Sequence, residues 1–309
     1  MRNYLIKIFI KMSLFILVKK INLGYYHGMN ILDGKETSLI IKTAIRDKIQ
    51  KEYVEKNKQI PCLACIIVGE DPASKVYVAN KEKACSAVGV KSVIKRLPEN
   101  STNEQVAEVI DQLNNDDSIS GILLQLPLPK GLNETSLLEC ISPKKDVDAL
   151  TDINLGKLFA GKNIIAPCTA TGIIDLLDQY QIEMQGKHVV VIGRSLLVGK
   201  SVSMLFQQRN ATVTMCHSKT QNLREACLLA DILVVAVGKP NFVSADMVKE
   251  GAVVVDVGIN RLETGLVGDV DFENVKDKCS YITPVPGGVG PMTIAELLKN
   301  TITLHENNL

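Results

Sequence analysis

The sequence lacks an excess of charge of either sign. Its 35 Lys and Arg residues balance 34 Asp and Glu residues, which leaves a formal net charge of +1. Nucleic acids and anionic membrane surfaces attract proteins with a strong positive patch, and the mixed charges along this chain provide none. The composition therefore predicts no nucleic-acid partner and no membrane partner.

The first 28 residues lack acidic residues altogether. Lysines interrupt every apolar run in this segment, so no stretch is long enough to span a membrane. The apolar core "MSLFILV" is short for a signal peptide, and no small-residue cleavage pattern accompanies it. We interpret residues 1–28 as an N-terminal extension that arises from a misplaced start, with a targeting segment as the second alternative. The argument about the fold begins at Met29.

Metal-ligand spacings are also missing. The four histidines are scattered, at His27, His188, His217 and His305, and they form no recognisable ligand pattern. Cys62 and Cys65 form one C-x-x-C pair without a second pair, inside the apolar run "CLACIIVG". Buried strand cysteines are therefore favoured over a zinc site or a redox pair. Together these features indicate a reduced, cytoplasmic protein that binds no metal.

Strand patterns alternate with helical patterns from about residue 36 onward. Apolar strands are predicted within 63–68, 90–97, 119–129, 186–220, 231–238 and 251–260. This alternation is typical of α/β units with parallel sheets, in which ligands collect beyond the carboxyl ends of the strands. The polar segment "SPKKDVDAL", residues 142–150, marks a domain junction. We expect an α/β protein with two α/β domains, at 29–147 and 148–290.

One lysine stands among apolar residues of a predicted helix. Asp71 is a good N-cap and Gly89 a natural stop for the helix between them. At about 100° per residue, Lys81 falls on the same side as Tyr77 and the apolar residues that follow. Burial would favour the neutral amine. The alternative is a lysine at the edge of the stripe, with its stem buried and its head in water.

Two polar residues lie where a ligand could bind. Gln125 follows an apolar strand and precedes Pro127, and Asp148 lies in the junction. Sites between domains commonly bind small molecules. For Gln125 the structural alternative is a backbone cap, and for Asp148 it is a solvated acidic turn.

The segment 186–220 predicts a strand, a glycine turn, a helix and a second strand. Gly193, Ser195 and Gly199 would let the backbone approach a pyrophosphate at the helix N-terminus, or could serve the turn alone. An NAD site usually has a carboxylate at the end of the second strand. Here that end reads "CHSKT". With Arg194 nearby, the pocket is neutral to basic, which favours NADP as the cofactor.

Several motifs, in order from about Ile31 to Thr303, closely resemble the bifunctional methylenetetrahydrofolate dehydrogenase/methenyltetrahydrofolate cyclohydrolase family, called FolD in bacteria. They are "VGEDPASKVYVANKEKA", "GILLQLPLP", "KDVDA", "APCTATGI", "VVVIGRSLLVGKSV", "VVVDVGIN" and "TPVPGGVGPMTIAELL". The resemblance implies a folate-binding catalytic domain, an NADP-binding Rossmann-like domain and a C-terminal helix, 291–309, that packs back on the first domain. It also implies a homodimer. The implied activity oxidises 5,10-methylene-tetrahydrofolate with NADP⁺ and then hydrolyses the methenyl product to 10-formyl-tetrahydrofolate.

The resemblance also assigns roles to residues. Lys81 matches the catalytic lysine, and Tyr77 the tyrosine that orients it and the folate. Gln125 matches the partner of the lysine, and Asp148 the residue that holds the pterin. Dinucleotide-contacting positions match Gly193, Arg194, Ser195, Ser218 and Ile259, and the loop beside the folate matches Pro286, Gly287 and Gly288.

The chain departs from the family directly after Asp148, where Gly-Phe-His is usual and Ala149-Leu150-Thr151 stands instead. Three other interpretations stay open at this point. Tyr77 and Lys81 also spell the Tyr-x-x-x-Lys of short-chain dehydrogenases, although here the pair precedes the glycine turn. The chain could be a binding paralogue without turnover, or a dehydrogenase without cyclohydrolase activity.

Overall fold

The structure is a computed structural model that describes residues 31–263 and 265–308. The interpretation of residues 1–28 as an extension lies outside the described residues. Two parallel sheets organise the described part of the chain. No helix between residues 31 and 308 combines the length and the apolar run that a membrane crossing needs.

The first sheet has three parallel strands in the order β2-β1-β3. The strands are β1 (Cys62–Val68), β2 (Lys91–Leu97) and β3 (Gly121–Leu124). The surrounding helices are α1 (Gly34–Ile49, continued by a π-helical turn Gln50–Val54), α2 (Pro72–Val88), α3 (Asn103–Asn114) and α4 (Glu134–Glu139). Every residue of β1 is buried because it is the central strand, so Cys62 and Cys65 are core residues as predicted.

The second sheet has five parallel strands in the order β10-β7-β6-β4-β5. The strands are β4 (His188–Ile192), β5 (Thr212–Cys216), β6 (Ile232–Val235), β7 (Val253–Asp256) and β10 (Tyr281–Ile282), and a hairpin of β8 (Asn260–Leu262) and β9 (Gly265–Val267) stands apart. The helices are α5 (Asp152–Phe159), α6 (Cys168–Gln179), α7 (Ser201–Gln208, preceded by a π-helical turn Leu196–Lys200), α8 (Leu223–Leu228) and α9 (Phe272–Val275), with 3-10 turns at Ala245–Met247 and Lys276–Lys278. The predicted α/β class is confirmed.

The predicted strand 119–129 is longer than the observed one. β3 ends at Leu124. Pro127 and Pro129 follow it, and proline has no N–H to donate to a strand ladder. The backbone N–H of Gln125 still donates to Ile66 O of β1, and the chain leaves the sheet directly after it.

The last helix, α10 (Val289–Asn308), packs against α1 and α6. Near its end, His305 Nδ1 lies 2.9 Å from the Ser120 hydroxyl, and the Tyr53 hydroxyl donates to Glu306 at 3.0 Å. The helix therefore returns to the three-stranded sheet, as the family resemblance implied. Through α6 it also contacts the other half of the molecule.

Asn300 on α10 joins the segments that link the two sheets. Its buried Nδ2 donates to the carbonyl oxygens of Val147 at 2.9 Å and Ala166 at 3.0 Å. It also lies 3.5 Å from Cys168 Sγ. One side-chain amide therefore holds both ends of the linking region against the last helix.

We expect Asn300→Ala to lower the free energy of unfolding by about 2–4 kcal/mol, because two buried carbonyls would each lose a donor. Chemical unfolding of the full chain measures the change. Asn307→Ala is the matched control on the exposed face of the same helix, where the side chain donates to Thr303 O and to no other described residue. The control should change stability by less than about 0.5 kcal/mol. Equal losses in the two variants would contradict the role given to Asn300.

Candidate active site

Lys81 lies on the buried stripe of α2. The stripe runs through Ser74, Val78, Cys85 and Val88, all buried, and Lys81 completes its alternating spacing of four and three residues. The side chain is half-buried, and Nζ donates to Gln125 Oε1 at 2.9 Å. The lysine therefore ends on a specific partner that lies 44 residues away in sequence.

Tyr77 was predicted to lie on this stripe, but it does not. It is 44% exposed, because the stripe passes through the neighbouring Val78. No hydrogen bond joins the Tyr77 hydroxyl to another residue in the described part of the chain. The exposed ring borders Lys81 by helical spacing alone, and it is free to contact a ligand.

Two hydrogen bonds to backbone carbonyls hold Gln125, one from its backbone N–H and one from its side-chain amide. Its N–H donates to Ile66 O at 2.9 Å at the end of β3, and its Nε2 donates to Leu126 O at 2.6 Å. These bonds turn Oε1 towards Lys81. The ammonium of Lys81 therefore meets a neutral carbonyl oxygen, and the amide stays in place because it is 8% exposed.

Asp148 lies within electrostatic range of Lys81. Burial raises the pKa of the Asp148 carboxyl, and the positive charge of Lys81 and a hydrogen bond with Cys168 oppose that rise. Cys168 is fully buried at the start of α6. Sequence reasoning missed this thiol, although "APCTATGI" contains it. The structure thus groups Lys81, Gln125 and Asp148.

Ala149, directly after Asp148, adopts the left-handed conformation with a φ of +54°. An L-residue with a Cβ pays about 1–2 kcal/mol for this conformation, whereas glycine adopts it freely. Alanine therefore replaces the usual glycine at a position where glycine would adopt the backbone conformation without strain. Ala149 is nevertheless accommodated, with its N–H donating to Asp146 O at 3.2 Å.

The predicted dinucleotide turn follows β4 and is shaped by two glycines. Gly193 has a φ of +130°, and a Cβ there would lie 2.3 Å from Ala236 O. A Cβ on Gly199 would lie 2.2 Å from Gly193 O. Ser195 caps the helical segment that follows, since its Oγ accepts from Val198 N at 3.2 Å. The two glycines therefore let backbone segments approach more closely than side chains would allow, at the turn that precedes a helix N-terminus, where a pyrophosphate can bind.

Arg194 and Ser218 lie beyond the carboxyl ends of two neighbouring strands of the second sheet. They follow the ends of β4 and β5, which pair in register at Ile192 and Cys216, and both side chains are exposed. Residues 216–219 contain no carboxylate. This edge therefore fits the extra phosphate of NADP, which a carboxylate would repel.

Ile259 and the loop of Pro286, Gly287 and Gly288 line one cavity of about 140 Å³. The loop is held against the start of α1, where Lys35 N donates to Gly287 O at 2.9 Å. A Cβ on Gly34 would lie 1.8 Å from Gly288 O. The structure therefore brings Ile259, which was predicted to contact the dinucleotide, beside the loop that was predicted to contact folate.

The predicted residues thus form three groups. One is Lys81 with Gln125 and Asp148, one is the Gly193 turn with Ser218, and one is Ile259 with the proline-glycine loop. The Tyr77 helix packs on the three-stranded sheet, whereas the glycine turn follows β4 of the five-stranded sheet. The short-chain dehydrogenase interpretation required one shared sheet, and it is wrong for this reason.

Family models match both halves of the chain. The catalytic domain of tetrahydrofolate dehydrogenase/cyclohydrolase matches residues 32–148, and the NAD(P)-binding domain of the same enzyme matches residues 167–309. Among curated relatives, the bifunctional protein FolD of Campylobacter concisus is 55% identical over 275 residues, which cover 89% of this chain and 96% of that protein.

Solved structures agree over most of the chain. The bifunctional FolD enzyme of Campylobacter jejuni superposes with a TM-score of 0.88 at 47% identity, covering 91% of this chain and 100% of that one. The Trypanosoma brucei dehydrogenase-cyclohydrolase, complexed with NADP cofactor and inhibitor, gives 0.86 at 36% identity over 90% of this chain and 97% of its own. With both domain models matched and relatives similar along nearly their whole length, this chain belongs to the tetrahydrofolate dehydrogenase/cyclohydrolase family.

Proposed function

We propose that Lys81, Gln125 and Asp148 form the catalytic centre of this enzyme. The enzyme oxidises 5,10-methylene-tetrahydrofolate with NADP⁺ to the 5,10-methenyl compound and hydrolyses that product to 10-formyl-tetrahydrofolate. The observation that carries the assignment is the 2.9 Å contact between Lys81 Nζ and Gln125 Oε1, beside Asp148. This contact supports a site that combines a proton-transfer group, its partner and a pterin-binding carboxylate.

Asp148 would bind and orient the folate. Its carboxylate accepts hydrogen bonds from the N–H groups of the pterin, and Tyr77 and the loop of Pro286, Gly287 and Gly288 contact the same ligand. Fixing both ends of the folate holds the bridge carbon in one position, which converts binding energy into rate.

Lys81 would move the proton of the hydrolytic step. Water adds to the methenyl carbon, and Lys81 Nζ lies where it can relay a proton between the added water and the ring nitrogen. The ring then opens as one proton of the added water passes to the departing ring nitrogen, the other is released to solvent when the carbonyl forms, and the formyl group stays on N10. Gln125 Oε1 accepts a hydrogen bond from Nζ and keeps the lysine in place.

The glycine turn would hold the dinucleotide. Gly193 and Ser195 present backbone and hydroxyl groups to the pyrophosphate, and Arg194 and Ser218 contact the phosphate on the adenosine ribose. Ile259 contacts the cofactor from the neighbouring strand end. When bound, NADP⁺ accepts the hydride that leaves the methylene bridge.

The two sheets would correspond to two functional domains. Residues 29–147 with the C-terminal helix, 291–309, bind folate and perform catalysis, and residues 148–290 bind NADP. The enzyme would act as a homodimer, as the family resemblance implies. It would act in the cytoplasm, in keeping with its balanced charge and eight unpaired cysteines.

We expect Lys81→Met to reduce hydrolysis of 5,10-methenyl-tetrahydrofolate by at least about 100-fold, because a positioned proton acceptor typically contributes 10²–10⁴ in rate. Loss of the methenyl absorbance, followed without nucleotide, measures this step alone. Lys83→Met is the matched control, since Lys83 is exposed on the same helix. Full retention of hydrolysis in Lys81→Met would refute the role of Lys81.

We expect the enzyme to prefer NADP⁺ over NAD⁺, and Arg194→Ala to raise the KM for NADP⁺ by about tenfold or more. A hydrogen bond to a charged group contributes about 1.5–3 kcal/mol, and 1.4 kcal/mol is a factor of ten. Reduced nucleotide and methenyl species, followed separately with 5,10-methylene-tetrahydrofolate, report each activity. The KM for NAD⁺ is the internal control and should change less than twofold. Equal losses with the two nucleotides would contradict recognition of the extra phosphate.

A further inference from the structure

Two buried aspartates lie at the carboxyl end of the second sheet, outside the residues assigned so far. Asp256 ends β7 and is 3% exposed, and Asp269 follows the β8–β9 hairpin and is 0% exposed. Neither forms a salt bridge within the described residues. Their charges are instead met by amide N–H groups, so each carboxylate organises the loops that surround it.

Asp269 binds the loop after β6. Its Oδ2 accepts from Val237 N at 2.7 Å and Gly238 N at 2.9 Å. Its Oδ1 accepts from Lys239 N and from the side-chain amide of Asn260, both at 2.9 Å. Three successive backbone amides and one side chain therefore converge on a single carboxylate.

Asp256 binds the loop after β7 and the segment that carries Asp269. Its Oδ1 accepts from Gly258 N at 3.0 Å and Asp269 N at 2.9 Å, and its Oδ2 accepts from Val270 N at 2.9 Å. The two aspartates are thus directly linked, and each one stabilises the position of the other.

Two glycines make this close approach possible. A Cβ on Gly258 would lie 2.2 Å from Asp269 Cγ, and a Cβ on Gly268 would lie 1.8 Å from Asp256 Oδ2. Gly258 is therefore held on one side by Asp256 and on the other by Asp269. Ile259, the next residue, lies beside the first turn of α10. Its Cδ1 is 3.5 Å from the position that a Cβ on Gly290 would take.

We propose that Asp256 and Asp269 are positioning residues for the dinucleotide. They fix the strand-end loops 236–239 and 257–260 at the edge where a parallel sheet binds its ligand, and through Gly258 they set the position of Ile259. This inference rests on the proposed function, because it takes Ile259 and the neighbouring Gly193 turn as the cofactor site. Ala236 links the two regions, since its carbonyl lies against Gly193.

The carboxylate form is essential to this role. Asparagine has one acceptor oxygen, so in Asp269→Asn an NH2 group would face amide N–H donors on one side of the side chain. Buried donors without an acceptor destabilise the local structure, so at least one strand-end loop must move. Lys81, Gln125 and Asp148 lie outside the five-stranded sheet, and among the described residues they form none of these bonds.

The test compares Asp269→Asn with the full wild-type chain. Calorimetric titration with NADP⁺ should give a Kd raised at least tenfold, and the KM for NADP⁺ should rise with it. The kcat at saturating NADP⁺ and the hydrolysis of 5,10-methenyl-tetrahydrofolate without nucleotide should stay within about threefold. Asp277→Asn removes the same charge from an exposed position of the same half of the chain and should bind NADP⁺ normally.

An unchanged Kd in Asp269→Asn would overturn the inference, and so would a loss of hydrolysis as large as the loss of affinity. If Asp269→Asn does not fold, Asn260→Ala decides, because it removes one donor from Asp269 and leaves the carboxylate. That variant should weaken NADP⁺ binding about threefold with hydrolysis intact, and normal binding would overturn the inference. A wild-type enzyme that neither binds nor reduces NADP⁺ would instead refute the proposed function.

Discussion

The contact of the last helix with both halves of the molecule is the constraint on which the rest of the structure depends. α10 lies against α1 beside one sheet and α6 beside the other. α6 and α10 pack so closely that a Cβ on Gly172 would lie 2.9 Å from Met292 Cβ. Asn300 then fastens the linking segments to this helix. Asp148 follows one of those fastened residues, so the geometry of the proposed folate site depends on the packing of α10.

Local features were predictable because they depend on residues close together in sequence. The helix between Asp71 and Gly89 was predicted from its cap and stop. The conformational demands of the Gly193 turn followed from one short motif. Lys81 was correctly placed among buried residues, because a spacing of three and four residues defines one face of any helix.

Long-range partners were not predictable from pattern alone. The family resemblance paired Gln125 with Lys81, but the residues lie 44 positions apart, and only the fold gives the 2.9 Å contact. The hydrogen bond from Cys168 Sγ to Val147 O, the Asn300 contacts and the two linked aspartates have no local signature. Tyr77 was misplaced because its angle on the helix lies close to the buried stripe, and only packing decides where burial ends.

The order in which the chain is synthesised gives the position of α10 a further consequence. Domains fold as they emerge from the ribosome, beginning at the N-terminus. Lys81 and Gln125 are made well before Asn300. A nascent chain can therefore form both sheets while the segment that carries Asp148 is still unfastened. The proposed site is therefore complete only after α10 has been made, and loss of this helix would affect catalysis as well as stability.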